Sequence, residues 1–321
     1  HTGGTLDKIE AIPGMRTNFT DDDLLRFVDQ NGFGIISQTA ELVPADKQIY
    51  DLRNVTGTVE SLPLISASIM SKKIAEGAKN LVMDVKVGTG AFMQTLPAAE
   101  ALATQLKRTG EGFGQKVSVV FTSMNAPLGE MVGNSLEIIE TIDYLKGANL
   151  PDIDIITRAL AVEMLLLTGT YSSADLANKA ISRVIADGTA LARFREWVRL
   201  QGGNPAVVDD YSLLPTAKVH TAVIAQKSGW LSTVDSREIG YALVSIGANR
   251  RLPTDKIDYG VGARLTKKIG DPIAKGEQIG TIYSHSSADG QAVAERVINC
   301  YTISTEKVPS DPVVIQVWSG V

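Results

Sequence analysis

Four stretches of this chain hold residue types whose spacing suits chemistry. The first is His1-Thr2-Gly3-Gly4-Thr5-Leu6-Asp7-Lys8. Glycines let the backbone approach an anion, and amides with hydroxyls can then bind phosphate oxygens. A tight turn with Thr5 capping a helix explains the same residues equally well, and both readings stay open. The second stretch is headed by Arg53, in Arg53-Asn54-Val55-Thr56-Gly57-Thr58; on these residues alone an ordinary surface charge is the favoured reading. The third is Ser66-Ala67-Ser68-Ile69-Met70-Ser71-Lys72-Lys73. Ser68 and Lys72 are four apart, so on a helix they share a face and can offer a hydroxyl and an ammonium to a planar polar ligand. The residues alone favour a plainer account, a solvated face with Lys72 and Lys73 complementing the dipole at a helix end. The fourth is Met83-Asp84-Val85-Lys86-Val87 followed by Gly88-Thr89-Gly90. It sets two charges in an apolar strand, where they need partners. Its Gly-x-Gly lacks the rest of any nucleotide fingerprint and reads as a hinge or packing feature.

Elsewhere the chemistry is sparse. No His/Glu/Asp cluster has metal-ligand spacing, and no Gly-x-Ser-x-Gly elbow occurs. His220 sits in an apolar β-like run and reads as structural; His285 lies in a polar loop. Lys268–Ile282 is similar to the turn-rich half of a biotinyl or lipoyl hammerhead but lacks the modifiable Lys, so it reads as scaffold. Cys300 is the single cysteine, which excludes a disulfide framework and a Cys-based zinc site. One cysteine and no signal peptide lead us to expect a cytoplasmic protein. A net charge of −5 with no Lys/Arg-rich run argues against nucleic acid, and no apolar run approaches the length of a membrane span. The chain opens inside a Gly-rich loop without Met, so part of any site is expected upstream.

These residues need elements to position them, and 321 residues suffice for two domains or one with an appendage. Thr20 before Asp21, Asp22 and Asp23 predicts a helix start, and Asn31-Gly32 its end. A strand is expected at Phe33–Ser37, a helix from Pro63 through Ser68 and Lys72 to Gly77, and a strand at Leu81–Val87. A helix over Pro97–Thr109, a strand at Lys116–Thr122 and a helix over Gly133–Leu145 continue the alternation. Such alternation predicts an α/β fold with a largely parallel sheet flanked by helices. Residues 151–203 are helical in pattern, and from 216 onward short β-like runs predict an α+β region.

Several blocks then converge on one resemblance. His1–Gly14, Pro44-Ala45-Asp46-Lys47, Arg53–Lys73, Leu81–Met93, Met124–Gly129 with Gly133–Glu137, and Ile257–Gly262 resemble the thymidine and pyrimidine-nucleoside phosphorylase family, in order along the whole chain. The resemblance implies a homodimer whose subunits pair a small all-α domain with a larger α/β domain. It places α/β parts at 1–44 and 76–215, an internal piece of the α domain at 45–75, and a C-terminal α+β region at 216–321. Arg53, Ser68 and Lys72 match the residues that grip the pyrimidine edge, and Thr5 matches a phosphate ligand. Arg53 and Lys72 would be the catalytic pair. A potassium ion, held in some members, would fall on the carbonyls of Leu128 and Met131 and the carboxylate of Glu137, whose alternative is a helix-surface carboxylate or one bonded to amides of the preceding turn.

The implied activity is phosphorolysis of a pyrimidine nucleoside, with inorganic phosphate as co-substrate and no cofactor required. Two departures stand against it. The family's Asp after the Arg is here Asn54, and its Lys-x-Ser-x-Gly-Gly phosphate loop falls before His1. A truncated, non-catalytic relative acting as a binding protein is therefore the alternative expectation. Phosphoribosyl transfer on the same fold would need acidic Mg²⁺ ligands that the sequence does not present.

Overall fold

The computed structural model describes residues 4–38, 42–46, 49, 61–252 and 254–321. Its first layer is a sheet of strands β1 (Asn80–Val87), β2 (Lys116–Ser123) and β10 (Val314–Trp318), with β2 in the middle. β1 and β2 are parallel, in register from Asn80 opposite Lys116 to Val87 opposite Ser123. The connection between them runs through helix α4 (Leu96–Gly112), started by Thr95 and Pro97. From Val117 to Thr122 every residue of β2 is buried, as expected for a strand covered on both faces. Val117, Val119 and Phe121 share a core with Leu102 and Leu106 of α4 and Met70 of helix α3 (Leu62–Ala75). Ser118 points the other way, toward helix α6 (Pro151–Leu167), where its hydroxyl donates to Glu163 at 2.7 Å.

A second core joins α1 (Thr5–Ile9), α5 (Asn134–Leu145) and α8 (Thr189–Leu200) through Ile9, Ile12, Ile138, Ile142, Trp197 and Val198. Helix α2 (Asp21–Asn31) begins as expected, with Thr20 accepting from the Asp23 amide, and ends at Gly32. Helix α7 (Ala174–Ala186) packs on α6 through Ala177 and Ile181.

The strand expected at Phe33–Ser37 is not one. Its backbone is held by a side chain instead of a ladder: the Gln201 amide accepts from Ile35 N and donates to Ile35 O. Gln201 is fully buried, so its amide satisfies that backbone where a neighbouring strand would otherwise have to.

Beyond residue 216 the structure is α+β. One antiparallel sheet has the order β3 (Met131–Val132), β6 (Gly262–Leu265), β8 (Gln278–Ser284), β4 (Val219–Ile224). A smaller one joins β7 (Pro272–Ile273), β5 (Gly229–Val234) and β9 (Tyr301–Ser304). Helices α9 (Ser236–Val244) and α10 (Ser287–Asn299) close a third core with Ile239, Leu243, Val293 and Val297. The expected α/β class holds, although among the described residues the parallel pairing of named strands is the single pair β1–β2.

Candidate active site

Helix α3 carries the Ser68–Lys72 pair. Pro63 opens the helix, where a missing N–H costs nothing. Met70 anchors one side in the core at 1% exposure. This orientation turns Ser68 inward as well, to 7% exposure, so the pair is not the solvated face that its residues alone suggest. The Lys72 ammonium donates to the Ser68 hydroxyl at 3.1 Å, to the Ser68 carbonyl at 3.1 Å and to the Asp46 carboxylate at 2.5 Å. A hydroxyl and a cation are thus brought together on one half-buried surface. Arg53 and Asn54 lie outside the described residues.

Thr5 is the exposed first residue of α1, a helix that belongs to a different core from α3. His1, Thr2 and Gly3 lie outside the described residues. Helix α1 itself is tied down at two points. Lys8 pairs with Glu137 of α5, and Asp7 pairs with Arg250 at 2.8 Å.

The charges of β1 find the partners they need. Asp84 and Lys86 pair at 2.7 Å, and the Thr122 hydroxyl donates to Asp84 and accepts from Lys86. The loop that follows has the expected packing role. Gly88 takes a φ of 131°, and a Cβ there would lie 2.4 Å from the Asn125 side chain. Thr89 N donates to that same side chain, and Arg237 of α9 donates to the Ala91 carbonyl. The loop presents Phe92, 66% exposed, a flat apolar face that can stack on a planar ligand. Sequence reasoning assigns Phe92 no role.

A cavity of about 410 Å³ opens at the carboxyl ends of β1 and β2, where parallel sheets commonly bind ligands. Lys8, Lys86, Leu128, Met131 and Glu137 line it. The three residues expected at a cation site are therefore neighbours, but as placed they do not fit a cation on Glu137. That carboxylate is taken by Lys8 and by the Gly133 amide. The carbonyls of Pro127 and Gly129 in the adjoining turn are taken by an ammonium, that of Lys268. Lys268 also pairs with Asp152 at 2.7 Å.

One carboxylate facing this turn is Glu140, which the sequence reading overlooks. It is 6% exposed and accepts from the amides of Glu130 at 2.7 Å and Met131 at 3.2 Å. Burial raises its carboxyl above the usual range, against the opposing pull of those amides and Lys268. Asp152 is displaced the other way. Burial pushes it up, but Lys268 and the Gly129 amide outweigh that and hold it below the usual range. The position of Glu140 was legible in principle: Leu136, Glu140 and Tyr144 form an i, i+4 stripe that is otherwise aromatic or aliphatic and buried. Elsewhere, burial pushes the Cys300 thiol up to about 12, which removes it as a nucleophile.

Residues 1–191 match the glycosyl transferase family a/b domain, and residues 230–304 match the pyrimidine nucleoside phosphorylase C-terminal domain. The chain is 40% identical over 309 residues to a pyrimidine-nucleoside phosphorylase of Bacillus subtilis (strain 168), covering 96% of this chain and 71% of that protein. It belongs to the pyrimidine-nucleoside phosphorylase family. A Staphylococcus haemolyticus (strain JCSC1435) pyrimidine-nucleoside phosphorylase is 42% identical over 285 residues, covering 89% of this chain and 66% of that protein. A Staphylococcus aureus (strain bovine RF122 / ET3-1) relative is 41% identical over 308 residues. The chain spans between 66% and 71% of the length of these relatives. Membership of this phosphorylase family places it among the pentosyltransferases.

Proposed function

We propose that this protein phosphorolyses pyrimidine nucleosides, and that α3 carries part of its base-binding edge. A phosphate oxygen attacks C1′ of the sugar as the C1′–N1 bond breaks. The bonding electron pair leaves with the base, which is then protonated. The products are the free pyrimidine and a pentose 1-phosphate, (2-deoxy)-α-D-ribose 1-phosphate. Electron density gathers on the carbonyl oxygens of the departing base, where a fixed cation stabilises the transition state more than the ground state. The observation that carries this reading is the Lys72 ammonium held on the buried Ser68 hydroxyl. Lys72 would meet the developing charge, Ser68 would orient the ring, Arg53 would supply the second cation and Thr5 would contact phosphate. No step is routed through a metal ion.

A second copy of the chain and a reducing, cytoplasmic setting complete the proposal; the buried Cys300 suits the latter. The deciding experiment is steady-state phosphorolysis of thymidine and uridine. Lys72→Ala is expected to lower kcat/KM by about 10²-fold or more, the usual scale for losing one charged donor to a leaving group. Near wild-type rates with both nucleosides would remove α3 from the site.

A further inference from the structure

We infer that Asp46 is the positioning residue of this base site, the group that holds Lys72 where the leaving base needs it. The inference rests on reading Ser68 and Lys72 as base-contacting residues. Asp46 lies 26 positions before Lys72, yet its carboxylate sits 2.5 Å from the ammonium and is itself 9% exposed. A carboxylate buried to that degree is seldom found without a paired charge. The backbone leading to it is strained. Val43, β-branched and followed by Pro44, has a φ of 47°, in the left-handed region such residues avoid. The Asp46 amide donates back to the Val43 carbonyl at 3.0 Å and closes that turn. Strain kept in a segment that delivers one buried carboxylate is a pattern seen at functional sites.

The proton inventory of Lys72 shows what Asp46 does. An ammonium has three N–H donors, and all three are engaged: one by Asp46, one by the Ser68 carbonyl, one by the Ser68 hydroxyl. The two bonds to Ser68 are to neutral acceptors and can be exchanged for a carbonyl oxygen of the base. The bond to Asp46 is charge-assisted and stays. Lysine is a point charge on a flexible four-carbon stem, so without Asp46 only the exchangeable bonds would fix its head. With Asp46 in place the cation is already set as negative charge develops on the base, and little reorganisation remains.

The test uses Asp46→Asn, Asp46→Glu, Lys72→Ala and the double variant Asp46→Asn/Lys72→Ala. Each is assayed with 2′-deoxyuridine and with 5-fluoro-2′-deoxyuridine, whose base leaves more readily. Asp46→Asn is expected to lower kcat for 2′-deoxyuridine by roughly 10- to 100-fold, the range for losing a charge-assisted hydrogen bond, with KM moving less than about threefold. The deficit is expected to shrink with the fluorinated substrate, to be partly recovered in Asp46→Glu, and to vanish in the Lys72→Ala background. A purely structural role would lower both substrates alike and add to Lys72→Ala. Either of those results, or a kcat for Asp46→Asn within twofold of wild type, overturns the inference. If Lys72→Ala is itself without effect, the base-site reading has failed and the inference falls with it. Thermal melting checks folding. Should Asp46→Asn not fold, Asp46→Ser takes its place, with the same expected results and the same overturning ones.

Discussion

Glu137 and Glu140 are one helical turn apart on α5, and their surroundings give them opposite characters. Glu137 is a clamp, pairing with Lys8 across the α1–α5 contact. Glu140 is buried under the turn before the helix, and its acid is raised because burial penalises the charge. A carboxyl raised in the folded state makes its full contribution to stability below the unfolded pKa and loses it as pH rises through the folded value. Glu140→Gln keeps a carbonyl oxygen for the amides of Glu130 and Met131 and removes that penalty. The variant is expected to match or exceed wild type in melting temperature at about pH 7, and to lose the advantage near pH 4. Thermal melts across that range read it directly. A variant weaker than wild type only at neutral pH would mean that the Glu140 charge itself holds the turn, through Lys268. The contrast also shows where the sequence was legible. Ser68 and Lys72 are i, i+4, so their meeting is a local fact of helix geometry. Asp46 reaches Lys72 through tertiary structure, and Glu140 differs from Glu137 only in which side of α5 turns inward. The first is no property of spacing, and the second shows in the sequence only as the i, i+4 stripe of Leu136, Glu140 and Tyr144.

Between elements, the turn joining β2 to α5 is a crossing point for several parts of the fold. β3 pairs there with β6, the Leu265 amide donates to the Glu130 carbonyl, and Lys268 reaches Pro127, Gly129 and Asp152. The α+β region is thereby fastened to the loop beside the cavity. The hammerhead-like stretch was legible as scaffold, but its sequence could not reveal that Lys268 spans to the turn, because a long flexible side chain has no periodic signature. Lys268→Met tests the fastening. Because Asp152 is held low in the folded state, its pairing stabilises above the unfolded carboxylate pKa, and that benefit is lost as pH falls through the folded value. The pair is only partly buried, so the expected cost at neutral pH is about 1–3 kcal/mol, below that of breaking a fully buried pair, and it should narrow below about pH 4. Denaturant titrations of both proteins at several pH values measure it. A gap that does not change with pH would assign the loss to the lysine stem and not to the Asp152 charge.

At the scale of the whole molecule, several separate cores share one chain, and the last strand ties its end back to the first sheet. Most helices and strands were legible because their apolar periods and caps are local. The pairing of β10 with β2 was not, since Val314–Trp318 could in principle have joined any open edge. Its anchor is Trp318, whose ring meets that of the fully buried Phe121 edge-on at 4.9 Å. Trp318 packs on the core of β1, β2, α3 and α4, whereas β4 and β8 rest on the separate core of α9 and α10. If the cores open independently, Trp318→Ala should weaken only the first. Truncating a large aromatic costs about 3 kcal/mol or more, so amides of β1 and β2 should exchange roughly a hundredfold faster. Amides of β4 and β8 should keep their wild-type protection. Because α3 sits on the weakened core, kcat/KM should fall together with that protection, while the cavity beside α5 is left intact. Native-state hydrogen exchange resolves the two sets of strands in one experiment. Equal loss in both would show a single cooperative unit, in which the contacts of the β2–α5 turn and of β10 unite the cores so tightly that none opens alone.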